Sequence, residues 1–131
     1  ETPTFPAAYP EVIAVGAIDS EDQVPGWSNR NPELTAPGVD VLSTYPDDTY
    51  ETSNGTSMAT PHVSGVVALI QAARLANGML VLPPGSLNDT ESNTVRGILH
   101  ITADKLGIEG YDESYGYGVV RADLAVYKAI E

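Results

Sequence analysis

The spacing of apolar positions along the chain changes several times, and each change marks an element. Val12-Ile13-Ala14-Val15-Gly16-Ala17 is a short, nearly unbroken apolar run. It predicts a strand covered on both faces, as in a parallel sheet. Residues 19–33 are polar and rich in turn formers, with Pro25-Gly26 and Asn31-Pro32 as breakers. Ala36-Pro37-Gly38 predicts a turn, Val39–Tyr45 a strand, Pro46-Asp47-Asp48 a turn, and Thr49–Ser53 a further extended piece. From Ser57 the apolar step becomes three and four residues, through Val63, Val66, Val67, Ile70, Ala73 and Ala76. That period predicts a helix from Ser57 to about Asn77, ended by the left-handed-tolerant pair Asn77-Gly78. Pro61 falls in its first turn, where a missing N–H costs little. Met79 to Asp89, with Pro83-Pro84-Gly85 inside it, reads as a loop. A second helix is expected over 91–103, with Val95, Ile98, Leu99 and Thr102 on one face. Tyr115–Val120 reads as a short strand or hairpin edge. Arg121–Ile130 reads as a last helix, with Leu124, Tyr127 and Ala125 inward. Strands interleaved with helices imply an α/β layered fold.

Charge narrows the partners. Eighteen acidic residues face six basic ones, for a formal charge of −12. No nucleic acid is expected, because little here can neutralise phosphates. An anionic membrane surface is disfavoured by the same sign. The apolar stretch Val63–Ile70, interrupted by Ser64 and Gly65, is far short of the roughly 20 residues a spanning helix needs, so no membrane partner is expected. The acids are spread along the chain, as on a solvated folded surface. Lys105 and Lys128 are the only lysines. A surface of this kind suits a protein hydrated in high salt, where screening removes self-repulsion; an ordinary acidic secreted protein has the same composition. With no cysteine, disulfides, thiolate catalysis and zinc–thiolate sites are excluded. The 131 residues suffice for one domain. A chain that opens on Glu1 rather than Met is expected to be part of a longer product.

Chemistry concentrates at Gly55-Thr56-Ser57, which leads straight into the longest helix. A hydroxyl there sits with the free N–H groups of a first helical turn, at the positive end of the dipole. Such an end binds anions and can stabilise the oxyanion formed when a nucleophile attacks an acyl carbon. On position alone an N-cap, worth about 1 kcal/mol, is the commoner role for such a serine.

The longer string Asn54-Gly55-Thr56-Ser57-Met58-Ala59-Thr60-Pro61-His62-Val63-Ser64-Gly65 closely resembles the nucleophile segment of the subtilisin-like serine proteases. Tyr9-Pro10-Glu11-Val12-Ile13-Ala14-Val15-Gly16-Ala17 is similar to the buried strand that precedes it in that family. Pro32-Glu33-Leu34 and Ala36-Pro37-Gly38 match the turn between. Val95-Arg96-Gly97-Ile98-Leu99 and Tyr115-Gly116-Tyr117-Gly118 resemble the closing helix and edge strand. The similarity runs from about Pro6 to Ala125, and the loop 78–90 is longer than the family pattern.

The resemblance implies a three-layer subtilisin-like α/β fold built on a parallel sheet, with residues 1–131 as the C-terminal part of a single peptidase domain. It implies a serine endopeptidase acting on protein or peptide substrates through an acyl-enzyme. Ser57 would be the nucleophile, and its N–H, supported by the Thr56 hydroxyl, would be part of the oxyanion site. Met58 would lie beside it, exposed to damaging oxidation. Phe5 and Pro6 would wall the pocket for the side chain before the cleaved bond. No cofactor is expected for catalysis, but structural calcium would use backbone oxygens of Ala7, Tyr9 and Val12 with the acid Glu33. Leu34-Thr35-Ala36 is two residues shorter than that pattern and lacks its second acid. The triad's Asp and His, and the oxyanion Asn, belong to upstream segments in this family. The missing N-terminal part of the domain is therefore an expected partner, and the chain alone is expected to be inactive and prone to self-association. The resemblance also implies an extracellular location. The alternative is a catalytically dead scaffold of the same fold. His62 and His100 read as structural helix residues rather than substitute bases, Asp19 and Asp22 as solvated turn residues, and Asp104, Glu109, Asp112 and Glu113 as acidic surface.

Overall fold

The computed structural model describes residues 2–131. Its element order is β1 (Val15–Ile18), β2 (Leu34–Pro37), β3 (Val41–Tyr45), β4 (Thr49–Ser53), α1 (Thr56–Ala76), α2 (Val95–Thr102) and α3 (Ala122–Ala129). The chain is mixed α/β, as the alternation of periods implies.

β1 and β2 pair in parallel, from Val15 opposite Leu34 to Ile18 opposite Pro37. The sequence places β1 three residues too early, because Val12 belongs to the preceding turn and donates its N–H to Tyr9 at 3.0 Å. It also misses β2, where a turn is expected. Leu34, Thr35 and Ala36 are fully buried, but the run is too short to show a period and its punctuation, Pro37-Gly38, dominates the local signal. On the far side of β2, Thr35 exchanges hydrogen bonds with Gly118 and Val120 around Val119. The expected strand over 115–120 is thus reduced to a bridge at Val119.

β3 and β4 form an antiparallel hairpin with Val41 opposite Ser53 and Tyr45 opposite Thr49. Asp47 and Asp48 turn it at φ 64° and 57°, a left-handed geometry that Asp tolerates.

α1 buries Ala59, Val63, Val66 and Ile70 in a core with Val15, Ala17, Leu34 and Ala36 of the parallel pair. α2 starts at Val95 rather than residue 91. Thr94 caps it, its hydroxyl accepting the Gly97 N–H at 3.0 Å. In α3 the buried residues are Ala125 and Ala129, whereas Leu124 and Tyr127 are 43% and 69% exposed. Small residues let α3 lie close to α1, and the large ones face out. The long loop after α1 is tied back by Gln71, which both donates to Leu82 O at 2.8 Å and accepts from Leu82 N at 2.9 Å. No helix among the described residues is long and apolar enough to cross a membrane.

Candidate active site

Ser57 is the second residue of α1 and is exposed. A close meeting of backbone segments holds it there. The Gly55 N–H donates to the Gly38 carbonyl at 2.8 Å. A Cβ on Gly38 would stand 2.6 Å from Ala17 Cβ and 2.7 Å from Gly55 O. Glycine is therefore what lets β1, the turn after β2 and the entry to α1 touch. Gly55 itself has φ 152° and ψ 161°, a region essentially reserved to glycine. Asn54 Oδ1 accepts from the Asp40 N–H at 2.6 Å, fixing the end of β4 to the start of β3.

The N-cap is Gly55, and among the described residues no side chain caps α1. Ser57 is thus not the helix cap that its position alone would suggest. Among the described residues, the Thr56 and Ser57 N–H groups meet no acceptor. The first turn also carries no acid. The positive end of a 21-residue helix therefore opens beside an exposed hydroxyl, an arrangement that favours negative charge there. Thr56 is half-buried, and its carbonyl accepts the Thr60 hydroxyl at 2.9 Å.

Ser57, Met58, Pro61 and His62 form one wall of a cavity of about 400 Å³ whose other wall is the β3–β4 hairpin. His62 shares that cavity, but its Nδ1 donates to the Met58 carbonyl one turn back at 2.8 Å, as a structural helix residue does. Phe5 and Pro6 do not line it. Phe5 is 70% exposed and rests on Tyr9 with ring centroids 4.7 Å apart.

A second cavity, of about 660 Å³, gathers Ala7, Tyr9, Val12 and Glu33, but with Arg96 among them. Glu33 is buried and fully engaged. Arg96 donates to it through Nε at 2.9 Å and NH2 at 2.7 Å, and His100 Nε2 through a 2.7 Å contact. The Glu33 backbone carbonyl is occupied as well, accepting the Tyr117 N–H at 2.8 Å. Among the described residues no other carboxylate lines this cavity, and no cluster of three metal-ligating side chains occurs. A divalent cation needs several free oxygens; here it would meet a guanidinium instead. The residues expected to hold calcium do not fit it, and Arg96 and His100 take the Glu33 carboxylate.

His100 is 1% exposed. Its ring stacks on Tyr117 at 3.8 Å, and its Nδ1 faces the Asp89 carbonyl at 2.7 Å. Both ring nitrogens thus face oxygens, the Asp89 carbonyl and the Glu33 carboxylate. The sequence shows Arg96 and His100 four residues apart on one helix, but not that Glu33 lies between them. Asp112, expected as surface, holds its own loop: its carboxylate accepts the Ile108, Ser114 and Tyr115 N–H groups. Those bonds, with Ile108 first, lower its pKa. Asp19 likewise closes a turn by accepting from Glu21 and Gln23.

This fold and this serine at an uncapped helix start define a class. The model of the subtilase family of peptidases matches residues 1–118, and the chain belongs to that family, a family of serine proteases. It is 41% identical over 123 residues to Subtilisin DY of Bacillus licheniformis, covering 92% of this chain and 39% of that protein. It is 42% identical to Subtilisin E of Bacillus subtilis (strain 168), covering 92% and 28%. It is also 40% identical to the halolysin-like extracellular serine protease Nep of Natrialba magadii, covering 94% and 20%. The chain thus spans less than two-fifths of these relatives' lengths.

Proposed function

We propose that this chain supplies the nucleophile, Ser57, to an extracellular serine endopeptidase that cleaves protein or peptide substrates through an acyl-enzyme. The observation that carries the reading is the exposed Ser57 hydroxyl beside first-turn N–H groups that have no acceptor among the described residues. Ser57 Oγ attacks the scissile carbonyl, and the carbonyl oxygen becomes an oxyanion held by the Ser57 N–H, with the Thr56 hydroxyl nearby. The general base and its orienting carboxylate come from segments outside this chain. Neither His62 nor His100 is available, since one is bonded to its own helix and the other is buried against Glu33. Phe5 and Pro6 wall the pocket for the residue before the cleaved bond. The chain by itself hydrolyses nothing and needs the upstream part of the domain as its partner.

Activity should appear when this chain is joined to the upstream segments, and Ser57→Ala should reduce kcat by about 10⁶-fold, a magnitude measured on subtilisin rather than derived from this geometry. A fluorophosphonate should label Ser57 in the joined protein. A joined, folded protein with no adduct would instead be the dead scaffold, and full activity in Ser57→Ala would refute the nucleophile.

A further inference from the structure

The hairpin borders the start of α1 along the whole of β3 and at Glu51 and Ser53 of β4. In the register Val41–Ser53, Ser43–Glu51 and Tyr45–Thr49, cross-strand partners share a face of the pleat. Val41, Ser43, Tyr45, Glu51 and Ser53 of that face line the 400 Å³ cavity with Ser57; of the opposite face, Leu42 and Thr44 of β3 also border it, whereas their partners Thr52 and Tyr50 do not. Among the described residues Glu51 is the one carboxylate of the cavity, and no Lys or Arg lines it. Glu51 is exposed, and no cation pairs with it among the described residues. Around it the walls suit a long aliphatic stem: Val41, Met58 and Pro61 are apolar, and Tyr45 adds an aromatic residue to the lining.

We propose that this cavity receives a Lys or Arg side chain of the substrate next to the scissile bond, and that Glu51 is the residue that selects it. The inference rests on Ser57 being the nucleophile. A peptide bond seated on Ser57 places its neighbouring side chains within reach of the adjoining cavity. An ammonium or guanidinium there gains a carboxylate that pairs with no cation among the described residues. A neutral side chain of similar length gains only the apolar walls.

The test uses the protein joined to its upstream segments, with active sites counted by fluorophosphonate titration. Internally quenched peptides of one sequence carry Lys or Gln in turn at each position flanking the scissile bond, on the acyl side and on the leaving-group side. At low ionic strength the wild type should favour Lys over Gln in kcat/KM at one of these positions, by about two- to five-fold, as for an exposed ion pair. The difference should lie mainly in KM. Glu51→Gln should bring that ratio to about one and Glu51→Lys should invert it. Thr52→Gln, on the opposite hairpin face, should leave the ratio as in the wild type. A Lys preference that survives Glu51→Gln, or no preference at any position in the wild type, overturns the proposal while leaving Ser57 as nucleophile. Absence of both adduct and hydrolysis in the wild type removes the nucleophile reading, and this one with it.

Discussion

Asp89 does several jobs with one residue. Its carboxylate accepts the Ser86 N–H at 2.9 Å, the Ser86 hydroxyl at 2.7 Å and the Thr94 hydroxyl at 2.7 Å, while its carbonyl accepts from His100. It therefore links the long loop, the cap of α2 and the buried Glu33 cluster. The Ser86 hydroxyl leads the groups that pull its pKa from 3.8 to about 2. A carboxyl depressed on folding stabilises the native state fully above its unfolded pKa, and that contribution is lost as pH falls through the folded value. Asp89→Asn should thus be less stable than the wild type by a constant amount above about pH 5, with the gap closing towards pH 2. Urea unfolding at a series of pH values reads this; a gap unchanged from pH 5 to pH 2 would show that the ionised carboxylate contributes nothing. Glu33 shows the complementary case. It is held by Arg96 and His100 inside the core, and among the described residues no buried side-chain polar atom lacks a hydrogen bond. Such a cluster tolerates loss of its carboxylate badly, because two buried donors are then left facing nothing.

At the scale of elements, the site is a junction of β1, the turn after β2 and the entry to α1, and its tolerance is set at Gly38. Gly38→Ala adds a methyl group 2.6 Å from Ala17 Cβ and 2.7 Å from Gly55 O. Backbone must shift to accept it, at a cost of about 1–3 kcal/mol. The expected result is a lower unfolding midpoint together with slower fluorophosphonate labelling of Ser57 in the joined protein. Labelling at the wild-type rate would mean the junction does not position the nucleophile. Much of this junction is legible in the sequence, because a 21-residue amphipathic helix declares itself by period and the glycine-serine string sits at its start. β2 is not legible. Its four residues are a strand only because β1 and Val119 flank them, and that information is tertiary. The same holds for Glu33. Its neighbours in sequence, together with the family resemblance, suggest a cation ligand, but only the folded chain brings Arg96 and His100 from 63 and 67 residues away to take both its oxygens. The outward Tyr127 of α3 fails for a related reason: helix period sets which residues share a face, while the closeness of α1 decides that alanines fill it.

For the molecule as a whole, charge is the dominant property. A formal charge of −12 on 131 residues opposes the compact state through self-repulsion, and salt weakens that repulsion by shortening the Debye length from about 10 Å at 0.1 M to about 3 Å at 1 M. The buried Glu33 cluster is shielded from this screening, so added salt should remove mainly the unfavourable surface part. Four of the acids allow a clean test. Asp22, Asp40, Asp47 and Asp48 are exposed and adopt φ between 52° and 64°. Asn enters this left-handed region as readily as Asp does, so replacing all four by Asn changes charge and leaves backbone strain as it was. None of the four side chains pairs with a cation among the described residues. The net charge then falls from −12 to −8. Thermal unfolding of the wild type should shift upward between 0.1 and 1 M NaCl, and the fourfold variant should start higher in low salt and gain less from added salt. If both proteins rise in parallel, the benefit of salt comes from strengthened apolar burial rather than from screened repulsion, and the acidic surface is not what ties this fold to salt.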